Sequence, residues 1–233
     1  MYNKHVYLFL FKFNKNKFWA FSQMGKKNKL QNIKGLIFYK FMGTGGKRGF
    51  SLMPDFSTYA LLTIWKNKNS IELFLNENKL FKSYKIQSKQ IRVLILNTFQ
   101  SHGNWGGINP FILNKNDELN SDKKIKLDYN KKIAIITRAK VNWSKLFSFW
   151  KTVPDSSKSI ANAQGVYFYK GIGEIPFIEQ ATISLWNNLD DVLKFAYKSK
   201  AHSKIVKKSR EEKWYKEELF SRFYLKKDYL LQK

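Results

Sequence analysis

A chain of 233 residues with 43% hydrophobic residues has enough apolar material for one large or two small cores, and its 43 Lys and Arg against 17 Asp and Glu give a formal net charge of +26 that favours anionic surfaces. Cysteine is absent, which excludes disulfides, zinc–thiolate centres, iron–sulfur clusters and thiolate-ligated haem. The lack of cysteine leaves the compartment open but favours a cytoplasmic location. The longest apolar run, Val6 to Phe11, is far below the ~18–20 residues that cross a bilayer and ends at Lys12 without a cleavage signal, so we expect no transmembrane helix and no signal peptide.

In chain order, the pattern predicts a strand over Val6–Phe13, an aromatic-rich helix over Lys17–Met24, and a strand pair over Gly35–Phe41 and Thr58–Trp65. Between that pair, Gly43-Thr44-Gly45-Gly46-Lys47 reads as a flexible connecting loop, because Arg48 stands where a phosphate loop needs Ser or Thr. A second helix follows, with Asn69 as cap and Glu72 at the capping-box position, and a strand over Ile91–Phe99 closes the set. After the polar stretch 114–132, the same order returns: a strand over Ile133–Val141, a helix over Ser144–Trp150, strands over Val166–Gly171 and Gln180–Trp186, a helix from Asn188, and a strand over Leu219–Leu225.

Sequence landmarks repeat with the elements. Phe18-Trp19, Phe38-Tyr39-Lys40 and Trp65 in the first half match Phe149-Trp150, Phe168-Tyr169-Lys170 and Trp186 in the second. We therefore expect an α+β fold of two tandem ferredoxin-like (βαββαβ) repeats, spanning 1–113 and 133–233 with a linker over 114–132. Each sheet has one face bare of helices, so the two should pack face to face as a dimeric-α/β-barrel-like fold with an apolar interior.

Hydrolase, zinc-protease and dinucleotide-binding motifs are absent. Among the three histidines, His5 sits before the first strand and His102 in the loop from Ser101 to Gly107, where exposure is the ordinary expectation. His202, on a helix, shares a face with Ile205, Val206 and Ser209 and points inward, either as a satisfied core histidine or as a ligand. A nucleic-acid module would account for the charge, but strand aromatics in runs such as Val6–Phe11 read as buried rather than as base-stacking platforms.

Several ordered segments carry a resemblance. Trp19-Ala20, Gly43-Thr44-Gly45, Asn109-Pro110-Phe111, Thr137-Arg138-Ala139, Val153-Pro154-Asp155, Ser184-Leu185-Trp186, His202 and the run from Glu212 to Phe223 resemble spheroidene monooxygenases over nearly the whole chain. That resemblance implies an O₂-dependent enzyme that inserts a keto group into an acyclic carotenoid through two hydroxylations, with haem b as cofactor. It would use an external electron donor such as ferredoxin, and it could lie peripherally on the inner face of an anionic membrane. The haem would take His or Tyr as axial ligand, and His202 matches a histidine of the family pattern. Arg138, Arg210 and Arg222 become candidates to hold haem propionates, and Trp150, Tyr169, Trp186 and Trp214 candidates to line the channel for the polyene. The alternative within the same architecture is a cofactor-independent monooxygenase acting on a quinol-like substrate that itself activates oxygen.

Overall fold

The computed structural model describes residues 4–24, 30–46, 50–51, 53–112, 127–198 and 207–232. The first half contains β1 (His5–Lys12), α1 (Lys17–Met24), β2 (Leu36–Gly45), β3 (Pro54–Trp65), α2 (Lys68–Glu77), α3 (Lys79–Gln87) and β4 (Gln90–Gly103). The second half contains β5 (Ile133–Val141), a 3₁₀ turn (Trp143–Lys145), α4 (Leu146–Ala161), β6 (Val166–Ile175), β7 (Glu179–Trp186), α5 (Leu189–Lys198) and β8 (Tyr215–Gln232). This is the expected tandem ferredoxin-like α+β architecture.

Strand alternation explains why one sheet can carry two cores. On β1, Val6, Leu8 and Leu10 face one side and pack with Ala60, Leu62, Ile64, Leu94 and Leu96, while Tyr7, Phe9 and Phe11 face the other and meet Phe81 and Tyr84 of α3. The second half repeats the arrangement, with Ala134, Ile136, Ile183 and Leu185 on the inner side and Ile133, Ile135 and Trp186 under α4 and α5. The inner sides of both halves join into one apolar interior.

The halves do more than pack face to face. Their strands close a single barrel in the order β1-β3-β2-β6-β7-β5-β8-β4. Edge strands carry unpaired N–H and C=O groups, and pairing β2 with β6 and β4 with β8 satisfies them. Gly43-Thr44-Gly45 is therefore strand rather than flexible loop, because Gly43 and Thr44 pair with Gly173 and Ile172 across the seam. Reciprocal ion pairs close that seam: Lys40 to Glu174 at 2.5 Å and Lys170 to Asp55 at 3.2 Å. At the other seam Arg92 makes a two-point bond to Asp228, at 2.8 and 2.7 Å.

Trp65 and Trp186 occupy matching strand ends. Trp65 lies opposite His5 and Leu36, and Trp186 opposite Ile133 and Val166, and both neighbouring ladders shift register at the next residue. Three local expectations change. The cap of α2 is Asn67, whose side chain accepts from the Ser70 amide at 2.9 Å, since the β3 ladder ends at Trp65 and the turn comes earlier than Asn69. Helix α4 continues through Pro154 to Ala161, because Val153 and Ile160 bury against the sheet. His102 belongs to β4, not to a loop, and stacks on Phe220 at 5.3 Å.

Candidate active site

Matching registers make the two repeats directly comparable, and their outer faces differ. Phe9 lies opposite Leu61 and Val93 in the first repeat, and the corresponding residues of the second are Thr137, Thr182 and Phe220. Ile95, opposite Tyr7, corresponds to Arg222, opposite Ile135. The first repeat fills this surface with rings from α3: Phe81 lies 5.2 Å from Phe9, and Tyr84 lies 4.7 Å from Phe11. The second instead presents two hydroxyls bonded to each other, Thr137 to Thr182 at 2.6 Å, and a guanidinium. Phe220 lies opposite Thr137, and half-buried Phe220, Tyr169 and Tyr224 pack against the apolar cluster of the same face. Polar groups at positions that the first repeat fills with apolar side chains make this face the candidate site.

The three candidate arginines lie in different surroundings. Arg222 projects to this outer face, where it donates to the Gln100 side chain at 2.9 Å and lies 5.1 Å from the Phe220 ring. Its Nε is buried without a partner. Burial lowers its pKa, and the Tyr197 hydroxyl partly opposes that shift. No carboxylate pairs with it among the described residues, so it is a half-buried cation with only neutral partners. Arg138 is on the inner side of the same sheet and is spoken for: it pairs with Glu217 and, at 3.5 Å, with Glu179. Glu217 also accepts from the amides of Gly106 and Gly107 at 2.8 and 2.7 Å. Burial pushes the Glu217 carboxyl up, but these amides and Arg138 outweigh it and hold it below its ordinary value. Arg210 is exposed. His202 lies outside the described residues, and among those described no group of three His, Asp or Glu side chains could hold a metal ion.

None of the four candidate aromatics faces the barrel interior. Tyr169 and Trp186 lie on the outer face of the second repeat, where Tyr169 packs edge-on to Phe50, and Trp186 donates to Ser184 at 2.9 Å and meets Phe195. Trp150 and Trp214 form a separate group near the start of α4, bridged by Phe149. Trp214 is fully buried and donates to Glu212 at 2.7 Å. The interior itself is packed, and the glycine-rich turn after β4 inserts Trp105 into it, where Trp105 bonds Glu174 and meets Phe38. Sequence reasoning missed the Thr137–Thr182 pair, Gln100 and Phe220. Pairing the two halves residue by residue, rather than by aromatic landmarks, would have found them.

Among the described residues no helix is long and apolar enough to cross a membrane. No family model matches the chain. A spheroidene monooxygenase of Rhodobacter capsulatus is 30% identical over 208 residues, covering 89% of this chain and 83% of that protein. Another from Cereibacter sphaeroides is 27% identical over 224 residues, covering 94% and 66%. Among solved structures, an aldoxime dehydratase in complex with butyraldoxime is similar with a TM-score of 0.62 at 10% identity, over 96% of this chain and 80% of that one, a likeness of fold. The identity to the Rhodobacter capsulatus protein, sustained over most of both chains, establishes that this chain belongs to the spheroidene monooxygenase family and is a monooxygenase.

Proposed function

We propose that the chain oxidises an acyclic carotenoid, inserting a keto group by two successive hydroxylations, and that it does so on the outer face of its second repeat with haem b as cofactor. Each hydroxylation consumes one O₂, two electrons and two protons, converting C–H to C–OH and releasing water. The second gives a geminal diol that loses water to the ketone. The observation that carries this reading is the uncompensated Arg222 cation, with its unpartnered Nε, where the first repeat has Ile95. A propionate is the kind of anion that such a guanidinium accepts. No side chain activates O₂ toward an unactivated C–H bond, so haem would supply that oxidising chemistry when bound.

The residues present fit such a group. Arg222 would hold a propionate, and Gln100 fixes the guanidinium. Half-buried Tyr169, Phe220 and Tyr224 supply apolar walls that keep water from the reacting carbon. His202 is the proposed axial ligand on the strength of the family pattern and the lack of any thiolate. Arg138 is not needed for the cofactor, since two carboxylates already meet its charge. An acidic electron-donor protein such as a ferredoxin suits a chain of formal charge +26.

Purified protein reconstituted with haem should show a Soret band that shifts on reduction and on adding CO, and His202→Ala should lose that native spectrum. With a reductant and O₂ it should convert spheroidene to a product that has gained one oxygen and lost two hydrogens. A colourless protein that takes up no haem yet turns over would sink the cofactor proposal, and turnover under nitrogen would sink the oxygenase proposal.

A further inference from the structure

At the start of α4 the chain turns large rings outward. Trp143 is 67% exposed, Phe147 85% and Phe177 48%. With Leu146, Trp150 and Lys151 they line an open apolar groove of about 740 Å³. Single exposed apolar residues need no explanation, but a contiguous patch of rings does. The patch is held in shape: Trp150 Nε1 donates to the Phe177 carbonyl at 3.0 Å, and the two rings meet edge to face at 5.9 Å. Phe177 itself has φ of +69°, a costly conformation for a bulky side chain, at the tip of the turn between β6 and β7. Such strain persists only where the surroundings impose it, and it often marks a functional surface.

Charge around the patch is mostly basic. Most nearby carboxylates are engaged: Glu179 with Lys140 at 3.0 Å and with Arg138, Glu212 with Trp214 and Ser148, and Glu217 with Arg138 and two amides, which leaves Asp155 on α4 and Glu218 on β8 exposed without an ion pair among the described residues. Exposed Lys151, Lys213 and Lys216 have no ion pair among the described residues. Protruding rings bordered by uncompensated ammonium groups match the boundary between lipid headgroups and acyl chains, where Trp and Phe bury apolar area and Lys meets phosphate.

We propose that this face docks the protein on an anionic bilayer, with Trp143, Phe147 and Phe177 entering the interface and Lys151, Lys213 and Lys216 meeting lipid phosphates. The overall charge draws the protein to the surface, and the rings decide which side of it touches. The antiparallel pairing of β2 with β6 sends the two hairpin tips to opposite ends of the barrel, so exposed Phe18 of α1 does not share this face. Docking here stands apart from the oxygenase reading, because it is read without turnover.

The test is co-sedimentation with vesicles of phosphatidylcholine containing phosphatidylglycerol, at ~0.15 M salt. The parent should bind these and not pure phosphatidylcholine. The double variant W143S/F147S, which alters only exposed side chains, should bind about tenfold more weakly or worse. Lys151→Glu with Lys213→Glu should weaken binding and flatten its salt dependence, while Phe18→Ser should leave it unchanged. Equal binding by W143S/F147S and the parent would overturn the proposal, as would an equal loss with Phe18→Ser. It would also be overturned if the parent self-associates in solution through this face, W143S/F147S dissociates it, and neither binds vesicles. Carotenoid turnover in detergent should be the same for W143S/F147S and the parent, so loss of docking and loss of the oxygenase reading are separable.

Discussion

Arg222 and Arg138 stand three strand positions apart on adjacent strands, and their partners give them opposite roles: Arg138 lies opposite Leu219, while Arg222 lies opposite Ile135. Removing an arginine from a buried ion pair leaves carboxylates without their counter-charge, so Arg138→Met should cost ~3 kcal/mol of stability by urea titration and leave the cofactor spectrum alone. Arg222→Gln removes a half-buried cation that no carboxylate compensates, so stability should stay within about 1 kcal/mol of the parent while cofactor uptake falls. The pH dependence follows from Glu217. Its folded carboxyl titrates below the ordinary 4.5, so its stabilisation is fully present above that value and is lost as pH falls through the folded pKa. Acid unfolding should therefore steepen below about pH 4.5, and Glu217→Gln should flatten that limb; an unchanged acid limb would contradict the assignment. From sequence alone the three arginines look alike, because which face of a strand a residue occupies depends on register, and register is a tertiary property.

At the scale of elements, the strands and helices were legible wherever periodicity was strong: β5 (Ile133–Val141) and α1 (Lys17–Met24) have the predicted ends. The misses lie where long-range pairing overrides local signals. Gly43-Thr44-Gly45 has loop composition, yet it is strand because β6 supplies hydrogen-bond partners. Likewise His102 and Gly103 look like the start of a glycine-rich loop, but β8 extends β4 to Gly103, opposite Leu219. Gly103 has φ of +82°, and a Cβ there would run into the Glu218 carbonyl. Gly103→Ala should cost about 2 kcal/mol or more, measured as a lowered urea midpoint, since it adds strain and disturbs the turn that carries Trp105 into the barrel.

At the scale of the molecule, duplication was legible and closure was not. The matching landmarks from Phe18 to Trp65 and from Phe149 to Trp186 follow from shared local structure, whereas the pairing of β4 with β8 leaves no motif in either strand. Because both seams are hydrogen-bonded and the interior is shared, the halves should unfold in one calorimetric transition, and two resolved transitions would contradict the closed barrel. The duplication also supplies the sharpest control on where function resides, since the first repeat already encodes the filled, apolar version of the same surface. The most direct measurement is carotenoid ketone formation by the variant T182L/R222I, which gives the second repeat the residues that the first has at those positions. It should fold with a single transition and form no ketone, and ketone formation at the parent rate would contradict an active site on the outer face of the second repeat.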